Sequence, residues 1–396
     1  MSALNPKVPP AAAPVILTGA TGFLGAHLLA ALLADGRAVI VLGRSKDREP
    51  LADRLGRLLE WFGLEPRGSQ LEAIEADFQR PDCGLSAAQR GRIGANGADF
   101  IHCASETSFI EGRRAEIFAT NVGGLKNLLA LATTQGAGWF HFVSTAYAVG
   151  LCEGLAPEAP VTTDRFVNAY EASKAEAEHL VAARCSAAGV PFTLLRPSIV
   201  YGDARTGRAL KFTALYRLVQ ALCRLKEVMG RQARHGTACN PSVVTHAGAA
   251  GSVHLPLRLH LPAEGLINLV PVDYFVAAAR AILAAPTPGG IYHLTSDHPP
   301  ALGTLAGYCE EFLGVHGFEL SYGWPPPAGL RAPHELLFAR FTEPYHPYLA
   351  DQRRFATTNA RRATGGLVPP EFDYTIFARC MAYAASVGWG DRLFPV

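Results

Sequence analysis

A short apolar run followed by three glycines at intervals of three constrains the fold of this chain more than any other feature. Residues 15–18 have the composition of a buried strand, and residues 27–33, after the glycines, have that of a helix. Gly19 suits a tight turn, Gly22 lets the backbone approach a pyrophosphate, and Gly25 allows the helix to pack close to the sheet. The helix N-terminus offers free N–H groups to phosphates. The segment therefore predicts a dinucleotide-binding strand–turn–helix unit, although its spacing is GxxGxxG rather than GxGxxG.

The alternation of short apolar runs and longer helical stretches continues to about residue 200. This pattern is typical of a parallel sheet whose strands are joined by crossover helices. It predicts strands at 15–18, 38–43, 71–76, 99–103, 139–144 and 192–196 and helices at 24–34, 50–62, 85–93, 114–134 and 168–188. We therefore expect an α/β fold, a doubly wound parallel sheet of the Rossmann type with a smaller C-terminal substrate-binding lobe.

The same pattern suggests how the chain is divided. Residues 1–14, rich in proline and alanine, are expected to form a disordered leader. The dinucleotide-binding domain is predicted over 15–204, with elements that return to it near 265–297. The substrate-binding lobe would then comprise 205–264 and 298–396.

Regular structure is harder to predict after residue 204. The stretch 225–262 has little periodicity and is interpreted as a substrate-side loop or lid. A helix at 273–285, a strand at 290–295 and a helix near 301–314 follow. The prolines at 325–327 predict a stiff connector into a C-terminal helical region.

Charge and composition argue against several classes of partner. The formal net charge is only +2 at pH 7, and no run of basic residues suggests a surface for nucleic acid. No apolar run approaches the roughly 20 residues needed to cross a bilayer, so no membrane span is expected. The eight cysteines are scattered without zinc-like spacing, so no metal site is predicted. Reduced thiols and the absence of a secretory signal favour a cytoplasmic protein.

The end of the second predicted strand bears on the choice of cofactor. A carboxylate there binds the ribose 2′-hydroxyl of NAD, whereas an arginine accommodates the 2′-phosphate of NADP. Arg44 stands at this position, so NADPH is the predicted cofactor, with a solvated loop arginine as the alternative. Asp77 and Phe78, after the third strand, would bind and cover the adenine ring or form a plain turn. The backbone after the fourth strand is expected to line the cofactor path, at Cys103, Ala104 and Ser105.

Tyr170 and Lys174 lie four residues apart on a predicted helix and so share one of its faces. An unperturbed phenol, with a pKa of about 10, exchanges protons poorly at neutral pH. A nearby ammonium together with an oxidised nicotinamide favours the phenolate, so Lys174 is expected to lower the pKa of Tyr170. Such a pair alone is usually part of a surface helix. Its position just after a strand end, about 150 residues beyond the glycine-rich turn, favours a catalytic pair.

Together these motifs resemble the extended short-chain dehydrogenase/reductase superfamily. Its active site combines a Ser or Thr after the fifth strand, a Tyr-x-x-x-Lys pair and an Asn on the preceding helix. By this resemblance Thr145 binds the substrate oxygen, Tyr170 supplies the proton, and Lys174 binds the nicotinamide ribose. Asn121 would hold the helix geometry and a proton-relay water. Ser144 competes for the hydroxyl role, but Thr145 matches the second position of the family's Ser-Ser or Ser-Thr pair.

Further cofactor contacts are assigned on the same grounds. The segment 196–202 matches the family's stretch after the sixth strand, whose backbone faces the nicotinamide amide. The complete predicted cofactor-binding set is Gly19, Thr21, Gly22, Phe23, Leu24, Arg44, Asp77, Phe78, Cys103, Ala104, Ser105, Tyr170, Lys174, Pro197 and Ile199.

Several stretches are more similar to thioester reductases and fatty acyl reductases, the male-sterility type of NAD-binding domain, than to sugar epimerases. They are VLGR at 41–44 with RL at 54–55, DCGLS at 82–86, SETSF at 105–109, VSTA at 143–146 and NLVPVDY at 268–274. The resemblance covers about residues 15–300. It implies hydride transfer from NADPH to an acyl thioester carried on a carrier protein's phosphopantetheine arm or on coenzyme A. The product would be an aldehyde, or an alcohol after a second reduction.

Three other functions stay open at this point. The same arrangement of residues would serve a carbonyl reductase or hydroxy dehydrogenase that acts on a free aldehyde or ketone. It would also serve a nucleotide-sugar epimerase, although the few carboxylates in 205–262 argue against a sugar diphosphate. A regulator that only binds the cofactor has no need of the proton-transfer residues Thr145, Tyr170 and Lys174.

Overall fold

The computed structural model describes residues 13–94, 97–234, 253–259, 261–321, 332–342 and 345–394. The strands are β1 Val15–Thr18, β2 Val39–Gly43, β3 Leu71–Glu75, β4 Asp99–His102, β5 Trp139–Val143, β6 Leu155–Ala156, β7 Phe192–Pro197, β8 Ile199–Tyr201, β9 Val253–Leu259, β10 Leu269–Pro271, β11 Gly290–Leu294, β12 Val315–Leu320 and β13 Arg354–Phe355. The helices are α1 Phe23–Ala34, α2 Leu51–Phe62, α3 Ala87–Gly94, α4 Arg114–Phe118, α5 Gly124–Thr134, α6 Ala169–Ala188, α7 Leu215–Arg234, α8 Val272–Ala284, α9 Leu302–Leu313, α10 Pro333–Thr342, α11 His346–Leu349, α12 Thr358–Ala363 and α13 Tyr374–Ser386.

Seven parallel strands form the central sheet, in the order β3–β2–β1–β4–β5–β7–β11. Val15 of β1 lies opposite Val39 of β2 on one side and Asp99 of β4 on the other. Strands covered by helices on both faces need apolar side chains throughout, and every residue of β1 is buried. The strand order reverses beside β1, which opens a crevice at the carboxyl ends of the strands. The predicted doubly wound fold is confirmed, and its predicted strands agree within one residue.

Helix α7 contradicts the expectation of an irregular stretch over 225–262. The helix continues to residue 234 because Leu215, Val219, Leu222 and Met229 recur at helical spacing and enter one core. Polar and cationic residues between these side chains made the helical period of the apolar residues difficult to recognise in the sequence. At the other end of the stretch, residues 253–259 form β9, which pairs with β12. The prediction was wrong at both ends, and residues 235–252 lie outside the described residues.

A second core lies at the carboxyl edge of the sheet, on the side of β7. It contains Tyr201 of β8 and Leu269 of β10, two strands that pair just beyond the end of β7. Helices α7, α9 and α13 complete this core, with Val219, Leu305 and Phe377 fully or nearly fully buried. Between α8 and α9 the chain returns to the sheet, where β11 pairs with β7.

Two predicted segments cannot be compared with the fold. Residues 1–12 of the predicted leader and the prolines at 325–327 lie outside the described residues. Among the helices that the structure describes, none combines the length and the apolar character that a bilayer span requires.

Candidate active site

The glycine-rich turn between β1 and α1 has no room for side chains at two of its three glycines. Gly19 has a φ of +72°, and a Cβ there would lie 2.5 Å from the backbone nitrogen of Ala104. A Cβ at Gly25 would overlap the carbonyl group of Gly19. The constraint at Gly22 is weaker, since a Cβ there would lie 3.2 Å from the Gly19 oxygen. The turn therefore packs directly against the end of β4 and against the first turn of α1.

Tyr170 and Lys174, on one face of α6, reach the residues that end β5. The hydroxyl of Tyr170 lies near the hydroxyl of Thr145, which donates to the carbonyl oxygen of Pro197 at 3.4 Å. Lys174 Nζ donates to the carbonyl oxygen of Val143 at 2.8 Å and lies 4.7 Å from the centre of the Phe142 ring. The two hydroxyls and the ammonium are thus gathered at the carboxyl edge of the sheet.

Burial changes the proton affinities of both residues on α6. It raises the pKa of Tyr170 above the ordinary value, and the neighbouring Thr145 hydroxyl offsets only part of that rise. Burial also lowers the pKa of Lys174 to about 8. The lowering of the pKa of Tyr170 that is expected from Lys174 together with an oxidised nicotinamide stays a prediction, and here the ammonium donates to the carbonyl of Val143. Tyr170 is therefore a protonated phenol at neutral pH, which is the form that a reduction needs as a proton donor.

Asn121 lies on a π-helical turn between α4 and α5, a feature that often marks functional sites. Its amide nitrogen donates to the Glu106 carbonyl at 3.0 Å and to Ser173 Oγ at 2.9 Å. Its oxygen accepts from the Glu106 N–H at 2.7 Å and from Ser105 Oγ at 3.1 Å. Ser173 in turn donates to the carbonyl of Tyr170. These bonds fix the loop after β4 to α6, while the proton-relay water stays a prediction.

The predicted residues converge on a cavity of about 450 Å³ at the carboxyl edge. Those that line it are Gly22, Phe23, Leu24, Cys103, Ser105, Thr145, Tyr170, Lys174, Pro197 and Ile199. Gly19 and Ala104 contact each other behind this lining. Most of the predicted set is therefore brought together by the fold.

Two buried hydroxyls in the wall of this cavity make no hydrogen bond with any described residue. They belong to Ser144, after β5, and Ser198, after β7. A buried polar group without a partner costs about 1–3 kcal/mol. A ligand with amide or hydroxyl groups would satisfy both. With the side-chain-free turn at Gly19, this arrangement fits a nicotinamide dinucleotide that lies along the carboxyl edge.

Aromatic residues to which the sequence analysis assigned no role form another part of the wall of this cavity. The Phe109 ring lies 5.7 Å from that of Tyr170 and 5.0 Å from that of Tyr348. Tyr345 lies 5.9 Å from Phe109, and Tyr147 lies 5.0 Å from Tyr348. No local motif identifies Tyr345 and Tyr348, because only the tertiary fold brings them next to α6.

A buried ion pair holds the C-terminal segment against α6. Arg353 donates to both carboxylate oxygens of Glu171, at 3.0 and 3.2 Å, and to Asp351 at 2.8 Å. The hydroxyl of Tyr348 accepts a hydrogen bond at 2.9 Å from Asn168, the residue that caps α6. The aromatic wall is therefore attached to the first turn of α6.

A second, polar cavity of about 280 Å³ lies beside the glycine-rich turn. Arg54 lines it and donates to Thr21 Oγ1 at 2.8 Å and to the carbonyl of Arg44 at 3.0 Å. Arg57 also lines it but is paired with Glu49. Arg54 makes no ion pair with a described carboxylate, and the side chain of Arg44 is exposed outside the lining. Arg54 was noted in the sequence only as part of a motif.

Asp77 and Phe78 line neither cavity. The carboxylate of Asp77 is exposed and accepts the N–H of Gln79 at 3.0 Å. Phe78 is half-buried, and its carbonyl accepts from Asn127 at 2.7 Å. Their contact with an adenine ring stays a prediction.

Residues 17–279, more than half of the chain, match the male sterility protein family. The chain belongs to this family. The match confirms the predicted class, an extended short-chain dehydrogenase/reductase similar to thioester reductases. It also confirms the prediction of an NAD(P)-dependent oxidoreductase with a nicotinamide cofactor.

Solved structures reproduce the fold over nearly the whole chain. The terminal R domain from the myxalamid PKS-NRPS biosynthetic pathway has a TM-score of 0.73 at 23% identity, covering 96% of this chain and 93% of that one. A thiolation-reductase di-domain from an archaeal non-ribosomal peptide synthetase has a TM-score of 0.68 at 18% identity, covering 96% and 76%. UDP-glucose 4-epimerase from Thermotoga maritima has a TM-score of 0.61 at 16% identity, covering 94% and 99%. At these identities the similarity shows the fold alone.

Curated relatives match about half of the chain at a higher identity. Isonitrile lipopeptide synthase of Streptomyces coeruleorubidus is 31% identical over 217 residues, which are 52% of this chain and 14% of that protein. A 3 beta-hydroxysteroid dehydrogenase/Delta 5-->4-isomerase of Mycobacterium tuberculosis is 31% identical over 191 residues, 48% of this chain and 47% of that protein. The chain thus spans less than half the length of either relative.

Proposed function

We propose that the protein is an NADPH-dependent reductase of acyl thioesters that releases an aldehyde. The observation that carries the proposal is the pair of neighbouring hydroxyls, Thr145 and Tyr170, that line one cavity together with an aromatic wall. Hydroxyls fixed in this way stabilise an oxygen on which negative charge develops. The similarity to reductase domains of peptide and polyketide synthetases supports the same function.

The residues of the site account for the proton chemistry. Bound NADPH supplies the hydride that adds to the thioester carbon. Thr145 and Tyr170 donate hydrogen bonds to the thioester oxygen, and Tyr170 gives its proton to the resulting oxyanion. The carbon–sulfur bond of the hemithioacetal then breaks, so that the aldehyde forms and the sulfur leaves as a thiol. One thioester, one hydride and one proton thus give one aldehyde and one thiol.

We infer NADPH rather than NADH from the polar cavity beside the glycine-rich turn. Guanidinium groups bind phosphates through paired charge-assisted hydrogen bonds. Arg54 is directed into this cavity by Thr21 and makes no ion pair with a described carboxylate. Arg44 lies at the same edge because its carbonyl is bonded to Arg54. We therefore assign the 2′-phosphate to Arg54 together with Arg44, and not to Arg44 alone.

We infer that the thioester is presented on phosphopantetheine, as part of a carrier protein or of coenzyme A. Lys211 is exposed at the edge of the catalytic cavity and donates to Thr107 Oγ1 at 3.4 Å. An ammonium at this edge suits the phosphate at the end of a phosphopantetheine arm. The thiolation domain next to a reductase domain in one similar structure agrees with such a partner.

The second candidate function is the reduction of a free aldehyde or ketone. The match to the hydroxysteroid dehydrogenase over 191 residues favours it, because the same pair of hydroxyls would serve both carbonyl classes. A reaction on a thioester differs from it in one product, the thiol.

The two functions are separated by following cofactor oxidation and thiol release in the same reaction. The substrates are acyl-coenzyme A and acyl-pantetheine thioesters, with the matching aldehydes and ketones in parallel and Tyr170→Phe as the inactive control. Thiol released in step with NADPH consumption is the expected result. Turnover of aldehydes or ketones without any thioester turnover would replace the proposal by the second candidate. Product analysis of the same reactions shows whether the final product is the aldehyde or the alcohol.

A further inference from the structure

The polar cavity beside the glycine-rich turn is lined by charges of both signs. Lys46, Arg54 and Arg57 bring three cations to its lining, and Asp47 and Glu49 bring two carboxylates. A carboxylate repels a phosphate, so the cavity favours a phosphate only to the extent that its carboxylates are compensated. The charge of Glu49 therefore bears directly on the affinity of this cavity for a phosphate.

Glu49 is compensated by Arg57, which lies in the second turn of α2. Arg57 Nη2 donates to one carboxylate oxygen of Glu49 at 2.7 Å, and Nη1 is paired with the other oxygen. The side chain of Arg57 is 49% exposed. An exposed ion pair by itself contributes little, because fixing two long side chains costs conformational entropy. A further contact is needed to keep the guanidinium on the carboxylate.

The aromatic ring of Phe394 supplies such a contact. Its centre lies 5.7 Å from Cζ of Arg57, within the range of a cation–π attraction. Of the described residues in the lining of the polar cavity, Phe394 alone is aromatic. A ring in this place attracts the guanidinium and also removes water from one side of its ion pair, which strengthens the pair.

The segment that follows α13 holds this ring in position. The guanidinium of Arg392 donates to the carbonyl oxygen of Ser386, the last residue of α13, at 3.1 Å. Leu393 packs against the second core. Phe394 is half-buried and packs against a different core, to which Leu58 of α2 belongs. The ring is thus placed by tertiary packing at the cofactor side of the molecule.

We propose that Phe394 is a positioning residue that sets the preference of this site for NADPH over NADH, by holding Arg57 on Glu49. The proposal rests on the proposed function, because it takes the 2′-phosphate to lie beside Arg54 in this cavity. With Glu49 compensated, two cations of the lining face one uncompensated carboxylate. NADH carries a hydroxyl in place of the phosphate and gains little from these charges. Phe394 therefore raises the affinity for NADPH alone.

Substitutions of the ring test the proposal by fluorescence titration of the full chain with each cofactor. Phe394→Leu keeps an apolar side chain but removes the aromatic face. The dissociation constant of NADPH should rise about two- to fivefold, which is the strength of one partly exposed cation–π contact, while that of NADH is unchanged. Phe394→Tyr keeps the ring and should bind both cofactors as the wild type does. Phe118→Leu is the matched control, since it removes a ring 4.9 Å from Arg114, outside this cavity.

A double-mutant cycle tests the route through Glu49. Glu49→Gln removes the carboxylate that needs compensation, so Phe394→Leu should no longer weaken NADPH binding in that background. An undiminished effect of Phe394→Leu in Glu49→Gln would overturn the proposal. Arg57→Ala leaves the carboxylate uncompensated without changing the ring, and should weaken NADPH selectively by at least as much. This variant gives an independent result if Phe394→Leu does not fold.

Failure of this proposal and failure of the NADPH assignment give different results. If Arg54→Ala loses affinity for NADPH alone but Phe394→Leu binds both cofactors as the wild type does, only the role of Phe394 is overturned. An equal loss for NADPH and NADH in Phe394→Leu also overturns it, because a structural role would act on both. If the wild type binds both cofactors equally and Arg54→Ala changes neither affinity, the phosphate does not lie in this cavity, and both proposals fail.

Discussion

The cofactor side and the substrate side of the catalytic cavity are built in different ways. On the cofactor side, the turn from Gly19 to Gly25 is one contiguous segment, and its geometry depends on the absence of side chains. On the substrate side, Phe109, Tyr147 and Tyr348 come from three separate parts of the chain and contribute their side chains. The cofactor side is thus encoded in one contiguous sequence motif, whereas the aromatic wall of the substrate side is assembled only by the tertiary fold.

The difference follows from the chemistry that each half performs. A phosphate is bound by backbone N–H groups at the start of a helix, so local sequence suffices to build its site. An acyl group is recognised by the shape of an apolar wall, which any suitable set of large side chains can provide. The two halves are joined at α6, where Asn168 and Glu171 bind the C-terminal segment through Tyr348 and Arg353.

The largest effect is expected at the junction of the two halves. Tyr170→Phe removes the proton donor, so kcat should fall by about 10²–10⁴-fold while the affinity for NADPH is unchanged. Steady-state kinetics and a cofactor fluorescence titration measure the two quantities. Tyr308→Phe, which removes a hydroxyl in the second core, is the matched control. Turnover of Tyr170→Phe close to that of the wild type would refute the assignment of the proton donor.

The connection between the halves can be broken at Arg353. Arg353→Met leaves the carboxylate of Glu171 buried without its partner, so the free energy of unfolding should fall by about 3–5 kcal/mol. Denaturant unfolding measures the change. The double variant Arg353→Met, Glu171→Gln should recover part of the loss, because it removes the buried charge. Arg205→Met, at an exposed position, should change stability little. Equal stability of the single and double variants would contradict the role of the buried charge.

The proposed 2′-phosphate contact on the cofactor side is tested by substitutions at the polar cavity and beside it. Arg54→Ala should weaken the binding of NADPH by about 10- to 100-fold, since a charge-assisted hydrogen bond contributes about 1.5–3 kcal/mol. The binding of NADH should be nearly unchanged. Arg44→Asp should act in the same direction. Arg92→Ala is the control, because that guanidinium lies outside the cavity and is paired with Glu72. The dissociation constants of NADPH and NADH measure this difference. An equal loss of affinity for both cofactors would exclude a contact with the 2′-phosphate.

The smallest effect concerns pH. Lys174, whose pKa is lowered to about 8 by burial, is a cation below that pH and neutral above it. Reductive kcat/KM should therefore be level near neutral pH and fall above about pH 8, by roughly tenfold per pH unit. The raised pKa of Tyr170 keeps the phenol protonated over this range, so Tyr170 adds no inflection. In Lys174→Arg the decrease in kcat/KM should occur at higher pH. If the pH profile of that variant is unchanged, the decrease belongs to the titration of another group.

The sequence by itself determined the sheet and its cofactor edge. The strands predicted at 15–18 and 139–144 and the pair Tyr170 and Lys174 were found where local period and glycine spacing placed them. Such signals are short-range, because each strand, turn and helix face is encoded within a few residues.

Only the tertiary structure decided what surrounds that edge. The end of α7, the position of Arg54 and the wall formed by Tyr345 and Tyr348 depend on contacts between residues far apart in the chain. The pKa of Tyr170 in this structure is likewise set by burial, which raises it. Desolvation and packing are properties of the folded surroundings, which no local motif contains.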